Sequence, residues 1–286
     1  MKGIAIVMAV AGVCVWSWGQ DKPAGQNPPA GQAAGQTATA PQGKRPPKVN
    51  SQEEYASYKA AVAMTDVAAE DKAVNDFDTK YPQSELRPLV YKNLMQKYQQ
   101  ANNSEKMVEM AKKTLAIDPD DPDALIAVGQ VEAERVKDTD LDKDQRLTDA
   151  KKLAERALVT LETDVPASLY SAEQLPVYKN FIRSQAYFII GTVSFKQSAW
   201  PEAEVNLRKS IDALPQSPDV VCVYRLALAL DFQNKIPEAL KAAQQAVDLT
   251  KDNPDSPAGK AARQEQDRLL TYSKGTNPGS GTPPKN

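Results

Sequence analysis

Asp138-Thr139-Asp140-Leu141-Asp142-Lys143 sets three carboxylates at alternate positions, and Asp149 follows eleven residues after Asp138. Alternating oxygen ligands closed by a final carboxylate are what a Ca²⁺ loop requires. Two residues oppose that chemistry. Lys143 stands where the sharp turn needs Gly, and Asp149 is shorter than the bidentate Glu that usually closes such a loop. The favoured reading is an acidic loop that caps the next helix, and no metal site is expected.

Other chemistry is excluded more firmly. The 286 residues contain no histidine, which removes Ser-His-Asp and Cys-His nucleophile pairs within the chain and every His-ligated metal site. Of the two cysteines, Cys14 lies in an N-terminal apolar run, and Cys222 sits in the apolar stretch Asp219-Val-Val-Cys-Val-Tyr224. Such a cysteine is read as a small buried hydrophobe. There is no Gly-rich phosphate loop, no Gly-x-Ser-x-Gly elbow and no paired-Cys motif. Carboxylates are abundant, yet nothing singles out a catalytic pair, so an enzyme is the least favoured class and no cofactor is expected. Lys+Arg number 35 against 37 Asp+Glu, mixed along the chain for a net charge of −2. No basic stripe forms, and no nucleic-acid partner is expected.

The N-terminus reads as an address. Met1-Lys2 precedes a nearly continuous apolar run from Ile4 to Trp18, and Ser17-Trp18-Gly19 supplies small residues for a cut before Gln20. This fits a secretory signal peptide over residues 1–19, and the run is short for a membrane span. An uncleaved anchor and lipidation at Cys14 are the alternatives, and any membrane contact is expected through this segment alone. An exported, periplasmic or secreted location follows. Residues 20–50 repeat Ala-Gly-Gln between prolines and are expected to form a disordered linker, as is the tail 274–286.

Between 51 and 273 apolar residues recur at helical spacing, broken by Pro, Asn and Asp. Tyr91-x2-Leu94-Met95-x2-Tyr98 leads to Met107-x3-Ala111 and Pro119; Tyr187-x2-Ile190-Gly191-x2-Ser194 leads to Ala203-x3-Leu207 and Pro215. Leu125-x2-Val128-Gly129 pairs with Ala150, Ala154 and Ala157, and Val223-x2-Leu226-Ala227 with Ala239, Ala243 and Ala246. A degenerate first copy ends at Tyr81-Pro82. Gly129, Gly191, Ala203 and Ala239 fall where two helices must approach closely, and Pro119, Pro215 and Pro254 lie past helix ends. Such pairs bury their apolar faces only by stacking.

This pattern resembles the tetratricopeptide repeat. The resemblance implies an all-α superhelix of about five antiparallel helix pairs, with 256–273 as a capping helix. It also implies that each pair's first helix lines a concave groove binding a protein or peptide. On that expectation the groove presents Lys92, Asn93, Gln96, Gln99, Ile126, Gln130, Phe188, Thr192, Phe195, Tyr224 and Arg225, with Phe188, Phe195 and Tyr224 as anchors. The basic-and-Asn clamp of some relatives is incomplete, since Gln96 replaces the Asn expected one turn after Lys92. The expected role is a non-enzymatic adaptor or assembly factor of the bacterial cell envelope. A membrane-anchored structural component is the alternative.

Overall fold

The computed structural model describes residues 43–273. The expected signal peptide, Cys14, residues 20–42 of the expected linker and the tail 274–286 lie outside the described residues. Eleven α-helices follow one another among the described residues: α1 (Gln52–Val62), α2 (Val67–Lys80), α3 (Arg87–Gln100), α4 (Ser104–Ile117), α5 (Pro122–Arg135), α6 (Lys143–Thr163), α7 (Gln174–Lys196), α8 (Trp200–Ala213), α9 (Val220–Asp231), α10 (Ile236–Leu249) and α11 (Pro257–Ser273). A single 3₁₀ turn, Ala167–Leu169, interrupts the linker between α6 and α7.

Local chemistry starts and stops these helices. Ser51 and Glu54 form a reciprocal capping box on α1. Asp66, Asn103, Asp121 and Asp219 each accept a backbone N–H from the first turn of the helix they precede. Three turns inside pairs repeat one device. Asn102, Ser198 and Asn234 adopt φ of 55°, 59° and 59°, the left-handed conformation that lets a helix end abruptly. In each, the next N–H reaches back five residues to a carbonyl: Asn103 to Tyr98, Ala199 to Ser194 and Lys235 to Leu230, at 2.8–2.9 Å.

Helices pair as α1–α2, α3–α4, α5–α6, α7–α8 and α9–α10, and α11 closes the far end. Every substantial helix contact joins sequence neighbours or helices next but one; α1 packs on α3, α5 on α7, α7 on α9 and α9 on α11. That ordering is a solenoid and not a closed globule. Buried residues run as a chain of clusters from Ala61 to Leu269. Small residues set the α7–α8 crossing. A Cβ on Gly191 of α7 would sit 2.8 Å from Leu207 Cγ and 3.2 Å from the Leu207 backbone nitrogen in α8.

The expected linker differs at its end. Residues 43–50 have no regular secondary structure, but they lie against the folded stack through hydrogen bonds and ion pairs. Composition signalled a segment unable to bury apolar area. It gave no weight to its cations finding fixed carboxylates.

Candidate functional site

The first helices of pairs two to five are tied to one another by buried charge. Asp121 caps α5 and Asp123 sits in its first turn, where the helix N-terminus favours anions. Lys92 reaches from α3 to place Nζ 2.8 Å from Asp121 and 3.2 Å from Asp123, and the Tyr178 hydroxyl of α7 donates to Asp123 at 2.9 Å. Burial works against the Lys92 charge, but the two aspartates outweigh it and hold the ammonium above the usual lysine value. Burial also pushes the Asp123 carboxyl up, with Lys92 opposing.

A second tie joins α5, α7 and α9. Arg225 donates through both terminal nitrogens to Glu134, at 2.6 and 2.7 Å, and to Thr192 Oγ1 at 2.8 Å. Its guanidinium lies 5.2 Å from the Phe188 ring centre. Lys196 donates to the Glu134 and Val136 carbonyls, closing the C-terminus of α5. Burial disfavours the Glu134 charge, yet Arg225 overrides it and lowers that carboxyl below the ordinary range. Further along, Arg268 of α11 pairs with Asp231 of α9 and with Glu265.

These ties account for most of the residues expected in the groove. Lys92, Thr192 and Arg225 face a neighbouring first helix, where Lys92 binds Asp121 and Asp123, and Arg225 binds Thr192 and Glu134. Phe188 is 2% exposed under Arg225, and Ile126 and Tyr224 are buried in core clusters. For these six a direct contact surface is corrected to a structural role. The reason is geometric: at these six positions the side chain turns toward the adjacent pair or the core rather than to solvent. Phe195 is half-buried, edge-to-face with Trp200 and Phe232 at 5.1 and 6.2 Å. Gln96 is exposed, and Asn93, Gln99 and Gln130 are half-exposed. The Asn93 side-chain oxygen is enclosed without a hydrogen-bond partner.

A surface that the sequence reading missed runs along one edge, across the turns that join successive pairs. Glu85 lies in the α2–α3 turn, Asp118 at the C-cap of α4 and Asp164 at the C-cap of α6. Asp118 and Asp164 at helix C-termini add to the negative end of the helix dipole, so that part of the strip attracts cations. Residues 43–50 lie along it. Lys44 Nζ is 2.5 Å from Asp118 and 3.4 Å from Asp164. Arg45 grips Glu85 with two bonds of 2.7 Å, and the Lys48 backbone N–H donates to the same carboxylate at 2.8 Å. These donors hold the Glu85 carboxyl down at about 2. Gly43 fits against backbone: a Cβ there would come within 2.6 Å of the Val165 carbonyl oxygen. Pro46 and Pro47 fix the extended path between. The sequence signal was present as Lys44-Arg45-Pro46-Pro47-Lys48, but its acidic counterparts are scattered over three turns.

In the Asp138 loop the carboxylates turn to cations of the protein itself. Lys143 pairs with Asp138 at 2.7 Å, and Arg146 pairs with Asp140 at 3.2 Å and with Glu132 at 3.1 Å. No group of three or more metal-ligating side chains forms among the described residues. Cys222 is fully buried, and burial pushes its thiol up to about 12. No helix among the described residues is long and apolar enough to cross a membrane.

No family model matches the chain, and no curated protein matches it in sequence. Among solved structures it is similar to the assembly chaperone of RpL4 (Acl4), residues 1–338, at 12% identity and a TM-score of 0.45, over 79% of this chain and 99% of that one. A likeness this loose says nothing about what this chain binds.

Proposed function

We propose that this protein is a non-catalytic helical-repeat scaffold of the tetratricopeptide type that holds an extended segment of another protein. The observation that carries the reading is the seating of residues 43–50. A stretch of chain without secondary structure lies extended over three successive inter-pair turns, held by side-chain and backbone bonds. A surface that seats one extended segment has the spacing to seat another. The stack suits the task because its buried ties fix the first helices before any partner arrives, so little ordering cost falls on the scaffold.

The expected groove keeps Gln96 exposed and Asn93, Gln99, Gln130 and Phe195 half-exposed, which supports a polar contact surface there. We place the protein outside the cytoplasm of a bacterium, as an adaptor or assembly factor of the envelope, on the strength of the apolar N-terminal run before Gln20. The test is site-specific photo-cross-linking in cells from Gln96, Gln130 and Lys48, with mass spectrometry of the products and of the chain's own N-terminus. Adducts to one protein at these positions, on a chain that begins at Gln20, support the reading. Absence of adducts at all three positions, or a chain retained in the cytoplasm, refutes it.

A further inference from the structure

The strap formed by residues 43–50 is held in a way that differs from the rest of the chain. Its residues are exposed apart from the half-buried Pro47, and its arginine pair is solvent-facing, with Arg45 and Glu85 side chains 67% and 41% exposed, while Lys44 keeps 38% exposure above more covered aspartates. Exposed pairs of this kind are individually weak and are screened by salt. The contacts are nevertheless specific: a two-bond guanidinium–carboxylate fork, a backbone N–H on the same carboxylate, one lysine shared by two helix C-caps, and a glycine pressed onto backbone. Specific seating with weak retention is the signature of an exchangeable occupant.

We propose that the acidic inter-pair edge is a docking track for an extended, basic, proline-bearing segment of a partner protein, and that residues 43–50 occupy it in cis until displaced. The proposal rests on the scaffold reading above and names the chemistry of its partner and its regulation. The track's geometry sets the selectivity. Glu85 takes a planar guanidinium, because it receives two parallel bonds. Asp118 and Asp164 share one ammonium between them. The two prolines between the arginine and Lys48 keep the segment extended and reduce the entropy lost on docking. A residue with a side chain at the Gly43 position would strike the Val165 carbonyl, so the segment must begin with glycine or end there. Because the strap is joined to α1 through Ser51, it acts at high effective concentration, and an outside segment competes against it.

The experiment uses the full chain and a labelled synthetic peptide of sequence GKRPPKVN, read by fluorescence anisotropy. The variant Lys44→Glu/Arg45→Glu sets like charges against the track and frees it; faster hydrogen exchange of the Lys48 amide confirms release. The expected result is that the released variant binds the peptide at least about 10-fold more tightly than the unsubstituted chain, which its own strap obstructs. Binding falls steeply with added salt, and Glu85→Lys/Asp164→Lys, which should leave the stack folded, abolishes it. A control peptide, GEEPPEVN, does not bind. The proposal is overturned if the released variant ignores GKRPPKVN, binds both peptides alike, or associates with itself in place of the peptide. If the released variant fails with the peptide but cross-linked partners persist, the track falls and the scaffold reading stands. Peptide binding with no cross-linked partner in cells would do the reverse.

Discussion

Replacing Glu134 by Gln removes the carboxylate that Arg225 grips with both terminal nitrogens, while keeping the side-chain shape. Arg225 is then a cation only 9% exposed, against 35% for Glu134. Breaking a buried pair from one side typically costs about 3–5 kcal/mol, because the survivor stays uncompensated. The Gln amide oxygen still accepts one bond, and the Asp219 charge acts on the guanidinium, so Glu134→Gln should cost about 3 kcal/mol, the lower end of that range. Arg225→Met leaves the more hydrated partner, near the Lys196 charge, and its thioether chain can cover Phe188. That change should cost less, about 1–2 kcal/mol. The double variant should lie close to Arg225→Met, giving a coupling close to the whole Glu134→Gln cost, about 3 kcal/mol in magnitude. Urea unfolding followed by circular dichroism measures all three. If Arg225 were a free partner contact, neither single change would disturb folding. Stabilities within about 0.5 kcal/mol of the parent, or a larger loss for Arg225→Met than for Glu134→Gln, would refute the reasoning. The pH dependence has a definite sign. Glu134 is held below its ordinary 4.5 in the folded chain, so its contribution is present above that pH and disappears as pH falls toward the folded value.

Other outcomes follow from single contacts. Gly191→Ala drives a methyl against Leu207 and should cost about 1–3 kcal/mol in thermal unfolding; a neutral result would deny the close α7–α8 crossing. Phe188→Ala should destabilise by about 3–5 kcal/mol, making it a folding variant and not a clean probe of binding. In a Cys14→Ser background Cys222 should resist thiol reagents until the chain unfolds, since burial holds the thiol up to about 12; rapid labelling of the native protein would contradict that burial. Glu85 is held at about 2 by Arg45 and the Lys48 amide, so the strap should stay docked above pH 4.5 and loosen as pH falls toward 2. Protection of the Lys48 amide reports it, and protection unchanged across that interval would contradict the pairing.

Much of the fold was legible in the chain because it is local. The helix pairs, the small residues at Gly191 and Ala203 and the closing helix 257–273 all depend on neighbours a few residues apart, and periodicity records those distances. The absence of histidine was equally plain. What the tertiary structure alone decided is which way the first-helix side chains turn. Arg225 finds Glu134 across 91 residues, and Lys92 finds Asp123 across 31. No spacing within a helix encodes such a meeting, because it depends on how one pair sits on the next. The same holds for the strap: Lys44 and Asp118 stand 74 residues apart, and a basic, proline-rich segment becomes an ordered occupant only once stacking has lined up the turns that carry its carboxylates.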